Sequence, residues 1–411
     1  MSIWFRQSNA NSATMPVRFL VRDLLILMLF GLVTRSAFYQ YRLETDPLFL
    51  WPTVDEATYL SDAQKFVQEG FRLDHLAVPF WQPPGYVFVL SLLLGVGLTL
   101  KGIIVVQQLL GILAAIVMYL LVRRIASGVE QPRIKPLWAG LFFLAMPLQL
   151  YYETTFLKPV WIVFLLILLF HFLSMRTATR THFIAGVCLG LIGLFQTYYL
   201  LLGGWIAWWL RSERMHVAAL LLGVTIAVAP VAVMNRVLGD SSTLISYNGG
   251  ANFYIGNNEH WVDTYNLQPG WPWKRAMYKY AIERGTPALH GPATEALFLK
   301  EALEWMMLNP LDAVRGLLTK AAMSLSAGVL PRNQWIVWPV GFSVLHGTMF
   351  VGLVLWFFFR IRAIRSPSTG IFAAPFLIVL ATSTLFFPST RYLFPALPFL
   401  LLYAIADRVS V

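Results

Sequence analysis

Two adjacent carboxylates, Asp55 and Glu56, stand in the stretch Thr53-Val54-Asp55-Glu56-Ala57-Thr58-Tyr59-Leu60, just past the first long apolar run. A helix-like run follows to Gly70, and Trp81-Gln82-Pro83-Pro84-Gly85-Tyr86 then turns the chain back into apolar sequence. Two more charged spots lie far off, at Glu153-Thr154-Thr155-Phe156-Leu157-Lys158 and at Pro388-Ser389-Thr390-Arg391-Tyr392. Charges near a bilayer are costly unless paired or hydrated. Acids placed in so apolar a protein need a reason, and proton-transfer chemistry is one. The plainer reading is that such residues snorkel at the membrane interface, as lysines and arginines at span ends do.

The elements around these residues follow from composition. Of 411 residues, 58% are hydrophobic and only 12% charged, whereas soluble chains are about a quarter charged. Several apolar runs approach the ~20 residues needed to cross a bilayer. The fold class is therefore all-α, a polytopic membrane protein. A net charge of +11 in a soluble protein suggests a nucleic-acid partner. Here the arginines cluster between apolar runs and read as topology signals of the cytoplasmic face, so no nucleic acid is expected. The single cysteine, Cys188, lies in an apolar run, excludes an intrachain disulfide and reads as packed. The first run, about Val17 to Tyr39, opens with Arg18 and Arg22. A signal peptide has that look, but an uncleaved span is preferred, because the acidic stretch needs an anchor before it.

Basic clusters at Arg6/Arg18/Arg22, Arg123/Arg124/Arg133/Lys135, Arg176/Arg180, Arg211/Arg214, Arg360/Arg362/Arg365 and Arg408 require an even number of crossings between them if all are cytoplasmic. Parity makes Gly85–Leu100 a helix lying on, or dipping into, the outer face, while Val17–Tyr39 and Gly102–Val122 cross. Leu137–Tyr152 and Pro159–Met175 form a hairpin, and 183–210 divides into two short crossings with a turn near Gln196-Thr197. Val217–Met234 exits. Leu244 to Asn258 reads as loop. Thr294 is expected to cap a helix running to Leu308, and Asn309-Pro310 to start another. Trp335–Phe359 returns, and Ile371–Phe387 with Leu393–Ala406 closes the chain. The sum is about ten spans with both ends cytoplasmic. Residues 1–234 are expected as a transmembrane catalytic module with a first external loop at 40–101. Residues 235–334 are an external region, and 335–411 are C-terminal transmembrane helices. Asp55/Glu56, Glu153/Lys158 and Arg391 then share one side.

The pattern resembles the GT-C-fold glycosyltransferases that use polyprenyl-phosphate sugars, the group of protein mannosyltransferases and lipid A aminoarabinose transferases, glycosyltransferase family 39-like. Its features here are Asp55-Glu56, Tyr59 and the Pro83-Pro84-Gly85-Tyr86 corner. Tyr151-Tyr152-Glu153 with Leu157-Lys158, and Gly249, Asn252 and Gly256-Asn257-Asn258, look like one bacterial branch. Arg391-Tyr392 with Pro395 and Pro398 looks like the family's penultimate hairpin. The resemblance implies a sugar donor linked to polyprenyl phosphate, an acceptor that is glycan, lipid or protein, and an inverting transfer. It also implies a bacterial inner membrane with the active site facing the periplasm. Many relatives carry an acid where this chain has Lys158, which counts against a metal site needing a second carboxylate there.

Such a transfer needs a base for the acceptor hydroxyl, cations for the phosphate, and an aligned sugar. On that reading Asp55 is the base, and Glu56 orients it or binds sugar hydroxyls. Lys158 and Arg391 hold the phosphate. Tyr59, Trp81, Gln82, Tyr86, Glu153 and Tyr392 are candidate donor or acceptor contacts, as are Asn257, Asn258 and His260, with a turn-forming role open for the asparagines. No cofactor is certain. A divalent metal stays open, although Glu259 beside His260 is alone no metal site. A transporter is the second class, and should show ionisable residues inside its spans. The runs show only His171, Gln107, Gln108 and similar isolated polar groups. A non-catalytic polyprenyl-lipid binder is the third.

Overall fold

A computed structural model describes residues 17–73, 76–126, 135–175, 178–262, 291–326, 340–365 and 367–409. Among them the regular structure is helical, with no strand. The first part comprises α1 (Val17–Thr45), α2 (Asp55–Gln68), α3 (Gly85–Gly95), α4 (Leu100–Ile125), α5 (Pro136–Leu144), α6 (Pro147–Glu153), α7 (Pro159–Leu173), α8 (Thr179–Phe195), α9 (Leu201–Trp209) and α10 (Arg214–Val237). There follow α11 (Gly249–Gly256), α12 (Pro292–Leu308), α13 (Pro310–Ser324), α14 (Val340–Phe359), α15 (Pro367–Leu385), α16 (Thr390–Leu393) and α17 (Leu397–Val409). Residues 263–290 and the first five residues of Trp335–Phe359 lie outside the described residues, as does part of the cluster at 133–135.

Helix α1 is built inside out. Its buried residues, Asp23, Leu27, Gly31, Arg35, Phe38 and Arg42, recur every three or four positions, the spacing of one helix face. Leu25, Leu29, Leu32 and Val33 stand exposed on the other side. A helix of a water-soluble protein shows the reverse arrangement. Helix α10 likewise leaves Leu221, Leu222, Ile226 and Val233 exposed. Two helices, Leu100–Ile125 and Arg214–Val237, are long and apolar enough by themselves to cross a bilayer. The other apolar helices are shorter, α3 having 11 residues and α7 15.

Breaks in the helices follow local chemistry. The apolar stretch expected at Leu137–Tyr152 is two helices, because Pro147 lacks an amide proton and starts α6 anew. The run 183–210 breaks at the extended residue Gln196, and a 3-10 turn at Thr197–Leu200 leads into α9. The stretch expected as loop from Leu244 holds helix α11. It forms because the Glu295 carboxylate, from α12, accepts the Ala251 N–H at 2.7 Å and so satisfies an orphan donor of the first turn. Helix α12 starts at Pro292 with Gly291 before it, so Thr294 sits inside the first turn rather than capping it. Asn309 precedes Pro310 at the start of α13.

Candidate active site

Helix α2 opens with Asp55 and Glu56 in its first turn, where the helix dipole favours a carboxylate. The residue before them, Val54, has φ 54°. A β-branched residue in that region is strained, and such strain concentrates at functional sites. Asp55 faces α16. There the Arg391 Nη1 donates to Asp55 Oδ2 in a close ion pair. Both side chains keep some contact with solvent, 25% of Asp55 and 20% of Arg391. Arg391 Nη2 donates to the neighbouring Tyr392 hydroxyl at 3.1 Å.

A narrow recess lies beside this pair, lined by Tyr59, Leu157, Lys158, Pro159, Ile162, Gln196, Tyr198, Arg391 and Tyr392. Lys158 stands at the N-cap of α7. Its ammonium has no hydrogen-bond partner among the described residues. Burial pushes it down to about 7, Arg391 nearby adds to this, and Asp55 opposes it. Glu56 is pushed up to about 7 by burial, against Arg42 and the Phe156 N–H, which donates to Glu56 Oε1 at 3.2 Å. The recess thus carries two cations against one closely paired carboxylate, an arrangement that favours an anionic ligand.

Behind the recess, Tyr59 meets Tyr86 edge to face at 5.4 Å. Tyr86 donates from its hydroxyl to Gln107 Oε1 at 3.0 Å. The Gln107 amide in turn donates to the carbonyls of Glu153 (3.1 Å) and Thr155 (2.8 Å). Gln107, read from sequence as an isolated polar group, therefore ties the corner at Tyr86 to the turn that presents Lys158.

Glu153 is not at the recess. It is fully buried and accepts from Arg35 Nη2 at 2.8 Å and from Gln149 at 2.6 Å. Gly111 leaves room for it, since a Cβ there would fall 1.7 Å from Glu153 Oε1. Arg42 pairs with Asp46 at 2.5 Å and donates to Thr154 at 2.9 Å. The apolar runs are thus less bare of charge than they read: Asp23 and Arg35 sit within the first. Their signal was the buried stripe of α1, hidden by its mostly apolar composition.

The remaining candidates separate. Tyr59, Tyr392, Lys158 and Arg391 line the recess, and Tyr86 backs it. The Trp81 N–H donates to Glu295 at 3.0 Å, joining α12 rather than the recess, with half-buried Gln82 beside it. Asn257 donates to the Phe253 and Leu385 carbonyls, at 2.8 and 2.7 Å, and Asn258 donates to Tyr254 O at 2.6 Å. The His260 amide donates to Asn258 Oδ1 at 2.8 Å. These three build the turn that ends α11. Gln196, expected only as part of a turn, and Tyr198, not singled out in the sequence, also line the recess; their signal was the helix break itself. Among the described residues no group of three or more His, Cys, Asp or Glu side chains is placed to hold a metal ion. The groups around Asp55 and Glu56 are cations, which do not fit a divalent site there.

Neither the known protein-family models nor the curated proteins include a match to this chain. Among solved structures the chain is similar to archaeal oligosaccharyltransferase AglB from Archaeoglobus fulgidus, determined in complex with an inhibitory peptide and a dolichol-phosphate. The TM-score is 0.46 at 15% identity, over 94% of this chain and 50% of that one. The chain thus spans half the length of that protein.

Proposed function

We propose that this protein is an integral membrane glycosyltransferase that moves a sugar from a polyprenyl-phosphate donor to an acceptor hydroxyl, with inversion. The observation that carries the reading is the meeting, at one recess, of a carboxylate from residue 55 with cations from residues 158 and 391. The inside-out burial of α1 and the exposed apolar face of α10 support a bilayer environment.

The donor phosphate binds at Lys158 and Arg391, where the guanidinium fork offers two donors. It competes with Asp55 for Arg391. A carboxylate held by arginine is a poor base, because the pair stabilises its ionised form. When phosphate takes the guanidinium, Asp55 is released to accept the acceptor hydroxyl's proton. The acceptor oxygen then bonds to the sugar's anomeric carbon as the carbon–phosphate-oxygen bond breaks, and the pair of cations holds the charge left on phosphate. Glu56, beside Asp55 and hydrogen-bonded to the Phe156 amide, fixes the first turn of α2 against the Lys158 turn. On this reading the recess faces the outer, periplasmic side of a bacterial inner membrane, the acceptor is a glycan, lipid or protein, and no step uses a metal.

The test is release of sugar from a panel of polyprenyl-phosphate sugars by the purified protein in detergent. Release that disappears in Asp55→Ala, while that variant still binds polyprenyl phosphate, is the expected result. Binding of the lipid with no turnover on any donor leaves a lipid-binding protein instead.

A further inference from the structure

Lys320 brings a positive charge into the protein with no carboxylate in reach among the described residues. It is fully buried. Its ammonium donates to Gly256 O and Asn257 Oδ1, each at 2.9 Å, and to Phe386 O at 3.3 Å and Leu385 O at 3.4 Å. A buried charge needs compensation, and here dipoles supply it. Gly256 ends α11, Leu385 ends α15, and Phe386 follows directly. The ammonium therefore sits where two helices point their unpaired carbonyls and the negative ends of their dipoles.

The junction is tight. A Cβ on Gly256 would fall 1.6 Å from Phe386 O, so the two backbones touch. Asn257 reinforces the contact through its bond to Leu385 O at 2.7 Å. From Phe386 the chain runs through Phe387, Pro388, Ser389 and Thr390 to Arg391. Phe387 packs against Ile255 of α11 and, at 5.9 Å, against the ring of Tyr392. Whatever sets the end of α15 therefore sets where Arg391 stands against Asp55.

We infer that Lys320 is a positioning residue for the phosphate site: by locking the end of α15 to the end of α11, it holds Arg391 in register with Asp55 and Lys158. The inference rests on Arg391 being the phosphate ligand. Small displacements of a binding group are enough to lose most of its effect.

The experiment is a double-mutant cycle on binding of a short-chain polyprenyl phosphate to the purified full-length protein. Lys320→Met is expected to weaken binding about tenfold in the parent chain and to have no further effect in the Arg391→Ala background, because its action passes through Arg391. Equal losses in both backgrounds, or none in the parent, overturn the inference. If Arg391→Ala itself leaves binding unchanged, the phosphate reading fails and this one with it. If Arg391→Ala weakens binding and Lys320→Met does not, only the positioning role fails. Should Lys320→Met not fold, Asn257→Ala removes one acceptor from the ammonium and leaves the charge. The same coupling with Arg391 is then expected, and additive losses again overturn it.

Discussion

The Asp55 carboxylate is ion-paired with the Arg391 guanidinium across 336 positions of sequence. The pair neutralises both groups in the unliganded protein and leaves the Lys158 ammonium as the charge on offer to a ligand. On the proposed function it also makes the base conditional on the donor, since an anion that takes Arg391 releases Asp55 from this pair.

Asp55→Asn removes the base and keeps its size. Transfer should fall by the ~10²–10⁴-fold expected of general base catalysis, while binding of polyprenyl phosphate is kept or strengthened, because Arg391 loses its competitor. Turnover and lipid affinity measured on the same preparation check this. A loss in Glu56→Gln exceeding that in Asp55→Asn would exchange the two roles, and Glu56, at about 7, has the proton affinity for it.

Arg391→Ala should weaken donor binding by the ~1.5–3 kcal/mol of one charged hydrogen bond, roughly 10- to 150-fold. Calorimetric titration with a short-chain polyprenyl phosphate reads it directly. Unchanged affinity would assign Arg391 to packing.

Lys158 near 7 makes donor binding pH-dependent. The ammonium is charged below that value and neutral above it, and a sugar phosphodiester keeps its single charge throughout. Affinity should therefore decline as pH rises from about 6 to 9. Lys158→Arg, which stays charged, should flatten the profile. A wild-type affinity that does not change over this range would contradict the placement of Lys158 at the phosphate.

Glu56 makes stability pH-dependent in a defined window. Its carboxyl is pushed up to about 7 in the folded chain against about 4.3 unfolded, so between these values the folded state binds the extra proton. Stability from this group is present at low pH and is lost as pH rises through the window. Thermal unfolding of the wild type minus that of Glu56→Gln should fall over this range and be flat on either side.

The buried pair of Arg35 and Glu153 gives a test of architecture alone. Arg35→Met leaves a fully buried carboxylate without its cation and should cost about 3–5 kcal/mol, whereas Arg35→Met with Glu153→Met should recover most of it. Unfolding midpoints of the two variants in detergent decide the matter.

The three corners of the recess are legible in sequence because each charge sits close to a proline: Asp55 three residues after Pro52, Lys158 just before Pro159, Arg391 three residues after Pro388. Other parts are not legible, for physical reasons. Arg35 and Glu153 meet between helices 118 positions apart, and nothing in local spacing encodes that pairing. Helix α11 begins Gly-Gly-Ala-Asn, a poor helix former, and exists because Glu295 caps it from 44 positions away. Lys320 lies on an amphipathic helix, where a lysine ordinarily faces water. Its burial depends on two helix ends that arrive from elsewhere.

The separation of Asp55 from Arg391 also has a consequence for biosynthesis. At ~5–20 residues per second, the 336 positions between them take roughly 20–70 s to translate. For the last 233 of those positions Asp55 and Lys158 are both already made and Arg391 is not. A nascent chain at that stage lacks the guanidinium proposed to hold the phosphate, so on that reading the protein becomes competent only when α15 and the turn after it have been made. On the proposed function, sugar transfer is thereby timed to the end of assembly.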